Sequence, residues 1–168
     1  PGYESYDGWQ ELGQFGTANY ANPVLPAGTA FWFRGSGGSD TTFLALGEVD
    51  QAASASAPIA VGLQQIANPF ASDNTIGGLV GDQASGDIFS AVASDQIIVW
   101  SEGTQAYETY VYFDVSGYYG PGYESYDGWQ ELGQFGTANY ADDTVIPLGQ
   151  GFWYQAVSGF TWSVNKNY

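Results

Sequence analysis

Residues 121–141 read PGYESYDGWQELGQFGTANYA, and residues 1–21 carry the same letters in the same order. The likeness extends past the identical part, since VIPLGQGFWY at 145–154 answers VLPAGTAFWF at 24–33. Repeats of this kind are typical of structural units that bury a face against each other. The chain is therefore predicted to contain two related halves.

The two halves are predicted to pack together as one compact domain. The first half-unit covers residues 1–51 and the second covers residues 59–168. Between them, residues 52–58 read AASASAP. This run of small residues is typical of a linker, and we predict a connector there.

Short segments rich in β-branched and aromatic residues predict strands throughout the chain. The fold is predicted to be an all-β sandwich of two pseudo-duplicated halves with long Gly/Tyr-rich loops. A weak helix signal near 73–79 has Asp73 or Asn74 as its cap. The predicted strands lie at 30–34, 42–49, 59–65, 96–101, 107–114, 151–155 and 160–164, with a hairpin turn at 157–159 and a tight turn at 146–149. The predicted core contains Trp9, Trp129, Phe31, Phe152, Ile97, Val99 and Val111.

The charge balance excludes several classes of function. Eighteen acidic residues face two basic ones, which gives a formal net charge of −16. Nucleic acid is excluded as a direct partner, because Lys and Arg supply that affinity. The chain has no His and no Cys, so the usual zinc, haem and iron–sulfur sites and imidazole-activated nucleophiles are excluded. No cofactor is expected, and no apolar run is long enough for membrane insertion.

The acidic residues allow two weaker interpretations. Calcium needs several converging oxygens, and the candidates are Asp142, Asp143, Asp82 and Asp87, with Asp73 and Asp95 as another pair. No stretch follows a known calcium-loop pattern, so solvated turn carboxylates are the simpler interpretation. The acidic residues of the repeat are not spaced as a glycosidase pair. No enzyme activity is predicted.

Three motifs occur in a recognisable order: IANPFASD at 66–73, SDQIIVW at 94–100 and ADDTVIPLGQGFW at 141–153. Together they resemble an uncharacterised family of secreted bacterial β-proteins. The pattern of that family is two W…ADDTVLPPGQGF-type halves flanking an NPFPSD…DQIxVW centre. The likeness runs from about Trp9 to Trp153. It implies a β fold and an extracellular or cell-surface location after removal of a signal peptide, to which a chain beginning at Pro1 conforms.

The resemblance also indicates a missing pair of strands. The family places a strand pair, comparable to residues 96–114 here, before the Trp of its first half, and this chain starts without one. A sheet that lacks a neighbour invites a strand from another molecule. We predict a structural subunit that assembles head to tail into an extracellular filament or surface layer, exchanging residues 160–168 or 1–10. The predicted self-association residues are Pro1, Tyr3, Tyr6, Tyr118, Tyr119, Tyr123, Tyr126, Phe160, Trp162, Val164 and Tyr168.

The alternative function is that of a secreted carbohydrate-binding or adhesion module. The aromatic and glycine-dense loop at 118–129 offers flat rings that stack on sugars and carboxylates that accept hydroxyl hydrogen bonds. Under the first hypothesis the partner is another copy of the chain, and under the second it is a glycan.

Overall fold

The structure, a computed structural model, describes residues 29–31, 52–81, 94–135 and 144–165. Most of the first half-unit lies outside these residues, so the division into two half-units stays a prediction. The described elements are β1 (Ser54–Ile59), β2 (Gly62–Ala67), β3 (Asn74–Thr75), α1 (Ile76–Val80), β4 (Gln96–Ser101), β5 (Ala106–Phe113), α2 (Val115–Tyr119), a 3-10 turn (Glu124–Tyr126), β6 (Gly128–Glu131), β7 (Val145–Ile146), β8 (Gly151–Ala156) and β9 (Phe160–Asn165).

Five strands form one antiparallel sheet in the order β2-β8-β4-β5-β6. Strands β4 and β5 form a hairpin through the polar connection 102–105. Strands β3 and β7 form a small antiparallel pair, and β1 pairs with β9. The fold is mostly β and sandwich-like, which confirms the predicted fold class.

Strands β1 and β2 run alongside β9 and β8 as one bent antiparallel ribbon. Ala57 pairs with Trp162 in one stretch and Gln65 with Trp153 in the other. Between these stretches, residues 60–61 oppose residues 157–159. The extra residue on one side bends the ribbon, as a β-bulge does. The predictions of one strand over 59–65 and of a simple hairpin at 157–159 are therefore corrected, because both segments turn a corner between sheets.

A buried carboxyl group holds this corner. Asp95 has no exposed surface and lies just before β4. Its Oδ1 accepts the backbone N–H of Val157 at 2.7 Å, and its Oδ2 accepts the hydroxyl of Tyr154 at 2.8 Å. Burial and then this hydrogen bond raise the pKa of Tyr154 well above its usual value. Asp95 therefore fastens the end of β8 to the start of β4.

The core lies between the five-stranded sheet and the two-stranded sheet of β1 and β9. Helix α1 packs in this core, and a short helix leaves its last carbonyl groups without partners. The indole N–H of Trp162 donates to the carbonyl of Leu79 at 2.7 Å, and that of Trp129 donates to the carbonyl of Gly81 at 3.0 Å. Tryptophans from two strands of different sheets therefore supply hydrogen-bond donors to the carbonyl groups at the end of α1. Burying these carbonyls without donors would cost free energy.

The predicted core residues have three different outcomes. Phe31 is 49% exposed, and the prediction that it belongs to the core is wrong. Residues 29–31 lie over the end of the sheet, where Thr29 bridges to Ile66. Trp9 lies outside the described residues. The others are buried: Trp129, Phe152, Ile97, Val99 and Val111.

The predicted connector at 52–58 is corrected to a strand, since Ser54–Ile59 forms β1. Its serines are exposed, whereas Ala55 and Ala57 pack against the core. The alternation of Ser and Ala is the two-residue period of a strand. Ala57 lies opposite Trp162 in the pairing of β1 with β9. Its small side chain leaves room for the indole ring, which explains the small residues that suggested a linker.

The C-terminal strand is also corrected. The prediction placed Trp162 and Val164 on a self-association surface, but they are 1% and 3% exposed and belong to the core. Phe160 is partly buried and packs against the same core. Strand β9 pairs with β1 along its length, so Phe160–Asn165 is an integral strand of this fold, and its exchange between molecules stays a prediction.

Helix α1 is capped by Thr75, whose Oγ1 accepts the N–H of Gly78 at 3.0 Å. The predicted caps, Asp73 and Asn74, are therefore corrected. Both described helices have five residues, and within the described ranges no helix has the length and apolar character needed to cross a membrane.

Replacing Asp95 tests the corner. Asp95→Ala leaves the N–H of Val157 and the buried hydroxyl of Tyr154 without this acceptor, and we expect the free energy of unfolding to fall by about 2 kcal/mol. Tyr154→Phe removes one of these bonds and is expected to cost about 1 kcal/mol. Urea unfolding measures both changes. Glu124→Ala, at an exposed carboxylate, serves as the control, and an equal loss in that variant would contradict the role of Asp95.

Candidate functional site

One end of the five-stranded sheet carries aromatic side chains that face away from the core. In β8, Phe152 and Tyr154 are buried, so strand alternation turns Trp153 to the opposite face. The register places Trp153 between Gln65 of β2 and Ile98 of β4. An indole ring thus lies on the outer face, with an amide side chain beside it.

The β4–β5 hairpin adds two more rings to the same face. Trp100 and Tyr107 are directly paired, with ring centroids 5.1 Å apart in an edge-to-face arrangement. They are 38% and 47% exposed. Exposed aromatic groups that lie together, rather than singly, are typical of a binding surface.

Residues 147–150 form a tight turn beside these rings. Gln150 N–H donates to the carbonyl of Pro147 at 3.0 Å, and Gly149 has a φ of 74°, which suits glycine in a type II turn. The N–H of Leu148 donates to Asp73 Oδ1 at 2.7 Å, and the side chain of Gln150 donates to the carbonyl of Trp100 at 2.8 Å. The turn predicted at this place is therefore present and fixed at both ends.

A glycine in β8 lets residues 29–31 approach the sheet. A Cβ atom at Gly151 would lie 2.9 Å from the Cβ of Ala30, which is closer than side chains allow. The absent side chain leaves room for this segment, and Phe31 reaches the same surface as Trp100 and Trp153.

These groups surround an open cavity of about 560 Å³, which we call the aromatic cleft. A second cavity, of about 480 Å³, opens at the same end of the sheet, on the face of Val99, Glu108 and Tyr110. The two cavities share Trp100, Glu102, Pro147 and Gln150. The aromatic cleft is lined by Phe31, Gln65, Trp100, Glu102, Tyr107, Pro147, Leu148, Gly149, Gln150, Gly151 and Trp153.

Among the described residues that line the two cavities, the charged ones are carboxylates. Glu102 borders both cavities and Glu108 borders the second. Hydrogen bonds from the hydroxyls of Ser101, Tyr110 and Thr104 hold the pKa of Glu108 below its usual value. The Tyr110 hydroxyl donates to Glu108 Oε2 at 2.9 Å, and the Thr104 hydroxyl donates to Oε1 at 3.3 Å. Glu108 is therefore a fixed and ionised carboxylate at neutral pH.

A second aromatic surface lies at the other end of β5. Tyr118, Tyr119, Tyr123 and Tyr126, which we call the tyrosine row, have successive ring centroids 4.9, 5.5 and 6.1 Å apart. The first three rings are exposed. Phe113, at the end of β5, contacts Tyr118 with centroids 5.9 Å apart. The tyrosine row is thus a continuous aromatic strip on the surface.

Two aspartates position the tyrosine row. Asp114 caps α2 by accepting the N–H of Gly117 at 2.6 Å. Asp127 accepts both the N–H and the hydroxyl of Ser116 at 2.7 Å. The loop that follows α2 is therefore tied back to the helix, and its acidic side chains act as structural acceptors.

Several predicted site residues lie outside the described residues. They are Pro1, Tyr3, Tyr6 and Tyr168 of the self-association set, and the calcium candidates Asp82, Asp87, Asp142 and Asp143. The other proposed calcium ligands, Asp73 and Asp95, have separate structural roles. Asp73 accepts a hydrogen bond from the turn at 147–150, and Asp95 accepts one at the corner between the sheets. Among the residues that can be described, no three His, Cys, Asp or Glu side chains are grouped so as to hold a metal ion.

Sequence reasoning missed the aromatic cleft. Strand alternation in FWY at 152–154 is enough to turn one ring outward, but nothing in the sequence brings that ring beside Trp100 and Tyr107. That juxtaposition follows from the pairing of β8 with β4, two strands far apart in the chain.

Comparisons with protein-family models, with curated proteins and with solved structures give no match for this chain. The resemblance to a secreted bacterial β-protein family therefore stays a prediction.

Tyr110, which borders the second cavity, predicts a pH dependence. Burial raises its pKa from 10.0 to about 12. A tyrosine whose folded-state pKa is raised stabilises the fold below pH 10, and this contribution is lost as the pH rises toward 12. We expect the free energy of unfolding to fall between pH about 9 and about 11.5, as measured by urea unfolding. Tyr110→Phe should show a shallower fall, and the exposed-site control Tyr119→Phe should follow the unchanged protein. Equal slopes in all three proteins would contradict this.

Proposed function

We propose that this protein is a carbohydrate-binding module and that the aromatic cleft is its binding site. The observation that carries the proposal is the convergence of Trp100, Tyr107, Trp153 and Phe31 around one open cavity. In the sequence interpretation this was the alternative function. It was then assigned to the tyrosine-rich loop, whereas the geometry favours the opposite end of the sheet.

The aromatic rings suit the apolar faces of sugar rings. Trp and Tyr offer large, rigid surfaces whose burial supplies binding energy. Three of the rings come from strands of one sheet, so their positions are fixed before a ligand arrives. A preformed site avoids the entropic cost of ordering side chains on binding.

The polar groups around the cleft suit sugar hydroxyls. Gln65 and Gln150 carry amides that both donate and accept hydrogen bonds, and Glu102 carries a carboxylate that accepts them. A few polar groups among apolar ones are typical of small-molecule sites, in which they fix the orientation of the ligand.

The proposed role is binding without cleavage. Glu102 and Glu108 border the same cavity, as the two carboxyls of a glycosidase would. A general acid, however, needs a raised pKa, and the hydroxyls around Glu108 lower its pKa. Under this proposal the module acts outside the cell or at its surface, where polysaccharides are encountered.

Alanine replacement in the cleft tests the proposal. Trp100→Ala and Trp153→Ala each remove a stacking face and are expected to weaken saccharide binding about tenfold or more. Retention by cellulose, chitin, xylan and mannan would identify a bound polysaccharide. Calorimetry with soluble oligosaccharides of that type would then give the affinities.

The matched control is Tyr119→Ala. Tyr119 is an exposed aromatic residue too, but it lies in the tyrosine row, about 20 Å away along β5. We expect this variant to bind as the unchanged protein does. Failure to bind any saccharide, or a loss of binding in the Tyr119 variant alone, would contradict the assignment of the cleft.

The second candidate function is self-assembly into an extracellular filament or surface layer. The exposed tyrosine row favours it, because Tyr is enriched where proteins associate. The first copy of the repeat carries Tyr3 and Tyr6, which correspond to Tyr123 and Tyr126 of the tyrosine row. In this form of the hypothesis the contact is aromatic and does not involve exchange of β9.

Assembly is expected to strengthen with salt, because 16 excess negative charges on each chain repel at low ionic strength. Light scattering and negative-stain microscopy would detect it. Replacing Tyr118, Tyr119 and Tyr123 together with Ser should abolish assembly, whereas Trp100→Ala should not. A monodisperse monomer at high salt and high concentration would rule this candidate out.

A further inference from the structure

We propose that the aromatic cleft selects a cationic saccharide, one that carries protonated amines, over neutral and anionic saccharides of the same length. The inference depends on the proposed function and adds to it the charge class of the ligand. It follows from the charges around the cleft and from the nature of the rings that line it.

The first observation is the sign of the charge. Every charged side chain in the described part of the chain is a carboxylate, and Arg34 and Lys166 lie outside that part. Glu102 borders the aromatic cleft, and Glu102 and Glu108 both border the adjoining cavity. A cavity lined by one sign of charge concentrates ligands of the opposite sign and repels ligands of its own.

The second observation is the state of Glu108. Its carboxylate already accepts hydrogen bonds from Tyr110 and Thr104. The hydroxyls that hold it also keep it ionised, so its charge does not depend on a ligand. A cation near this end of the sheet therefore meets a negative charge that is fixed in place.

The third observation is the type of ring. An ammonium group is attracted to the face of an aromatic ring when it lies within about 6 Å of the centroid, and Trp is the strongest such ring. The cleft contains two indoles, Trp100 and Trp153, and the phenol of Tyr107. An amino sugar uses both properties, since its ring face stacks on an indole while its ammonium group meets a ring face or Glu102.

The fourth observation is that the two cavities, which lie on opposite faces of the sheet, have part of their lining in common at its end. They share Trp100 and Gln150, whose side chain is fixed by its hydrogen bond to the Trp100 carbonyl. Glu102 lines both cavities, so its carboxylate is the acidic group that a ligand in the aromatic cleft meets directly.

Three oligosaccharides of equal length test the charge preference by calorimetry on the full chain. They are a glucosamine oligomer, an N-acetylglucosamine oligomer and a uronic acid oligomer, used at a pH at which the amine is protonated. At low salt we expect the glucosamine oligomer to bind about tenfold more tightly than the N-acetylated one, and the uronate not to bind. The ratio should shrink as salt is added.

Two variants separate the cleft from the general negative surface. Glu102→Gln keeps the size of the side chain and is expected to reduce the tenfold ratio to about threefold, while Glu124→Gln, outside both cavities, should leave the ratio unchanged. The double variant Trp100→Ala/Trp153→Ala should lose binding of the glucosamine and N-acetylglucosamine oligomers alike. Thermal unfolding checks that each variant is folded.

The outcomes distinguish this inference from the function on which it depends. Equal affinity for the cationic and neutral oligomers, or an unchanged ratio in Glu102→Gln, overturns the charge preference and leaves the carbohydrate-binding function standing. Binding of the cationic oligomer that survives the double Trp variant also overturns it, since the attraction would then come from surface charge alone. No binding of any oligomer overturns both.

Discussion

The bend in the β1–β2 and β8–β9 ribbon depends on the carboxyl group of Asp95. At the bend the chain leaves one sheet for another, and the N–H of Val157 accordingly needs an acceptor outside the strand ladder. Asp95 supplies it and also accepts the hydroxyl of Tyr154. Buried polar groups must be paired. The Asp95 side chain therefore fixes where the ribbon bends, and it also fixes which face of β8, that of Tyr154, is turned to the core.

The aromatic cleft is a consequence of that constraint. Once Tyr154 faces the core, Trp153 faces outward, and the pairing of β8 with β4 brings it to the same end of the sheet as Trp100. The turn at 147–150 is bound to Asp73 and to the end of β4, so the wall of the cleft is fixed as well. Binding surfaces on rigid elements hold their geometry better than those on free loops.

Sequence reasoning succeeded where local pattern and burial agree. The strands at 96–101, 107–114, 151–155 and 160–164 have bounds close to those of β4, β5, β8 and β9. It failed at 52–58, where the small residues of a strand opposite Trp162 have the composition of a linker. It also failed for Trp162 and Val164, because an aromatic strand near a chain end is equally suited to an interface and to a core.

The amino-acid sequence alone established the β class, the duplicated segment, the excess of negative charge and the tight turn at Gly149. These depend on composition and on neighbours in the chain. The pairing of β1 with β9, the corner at Asp95 and the meeting of Trp100 with Trp153 could be known from the folded molecule alone. The reason is that they join residues far apart in sequence, whose register is set by packing across the core.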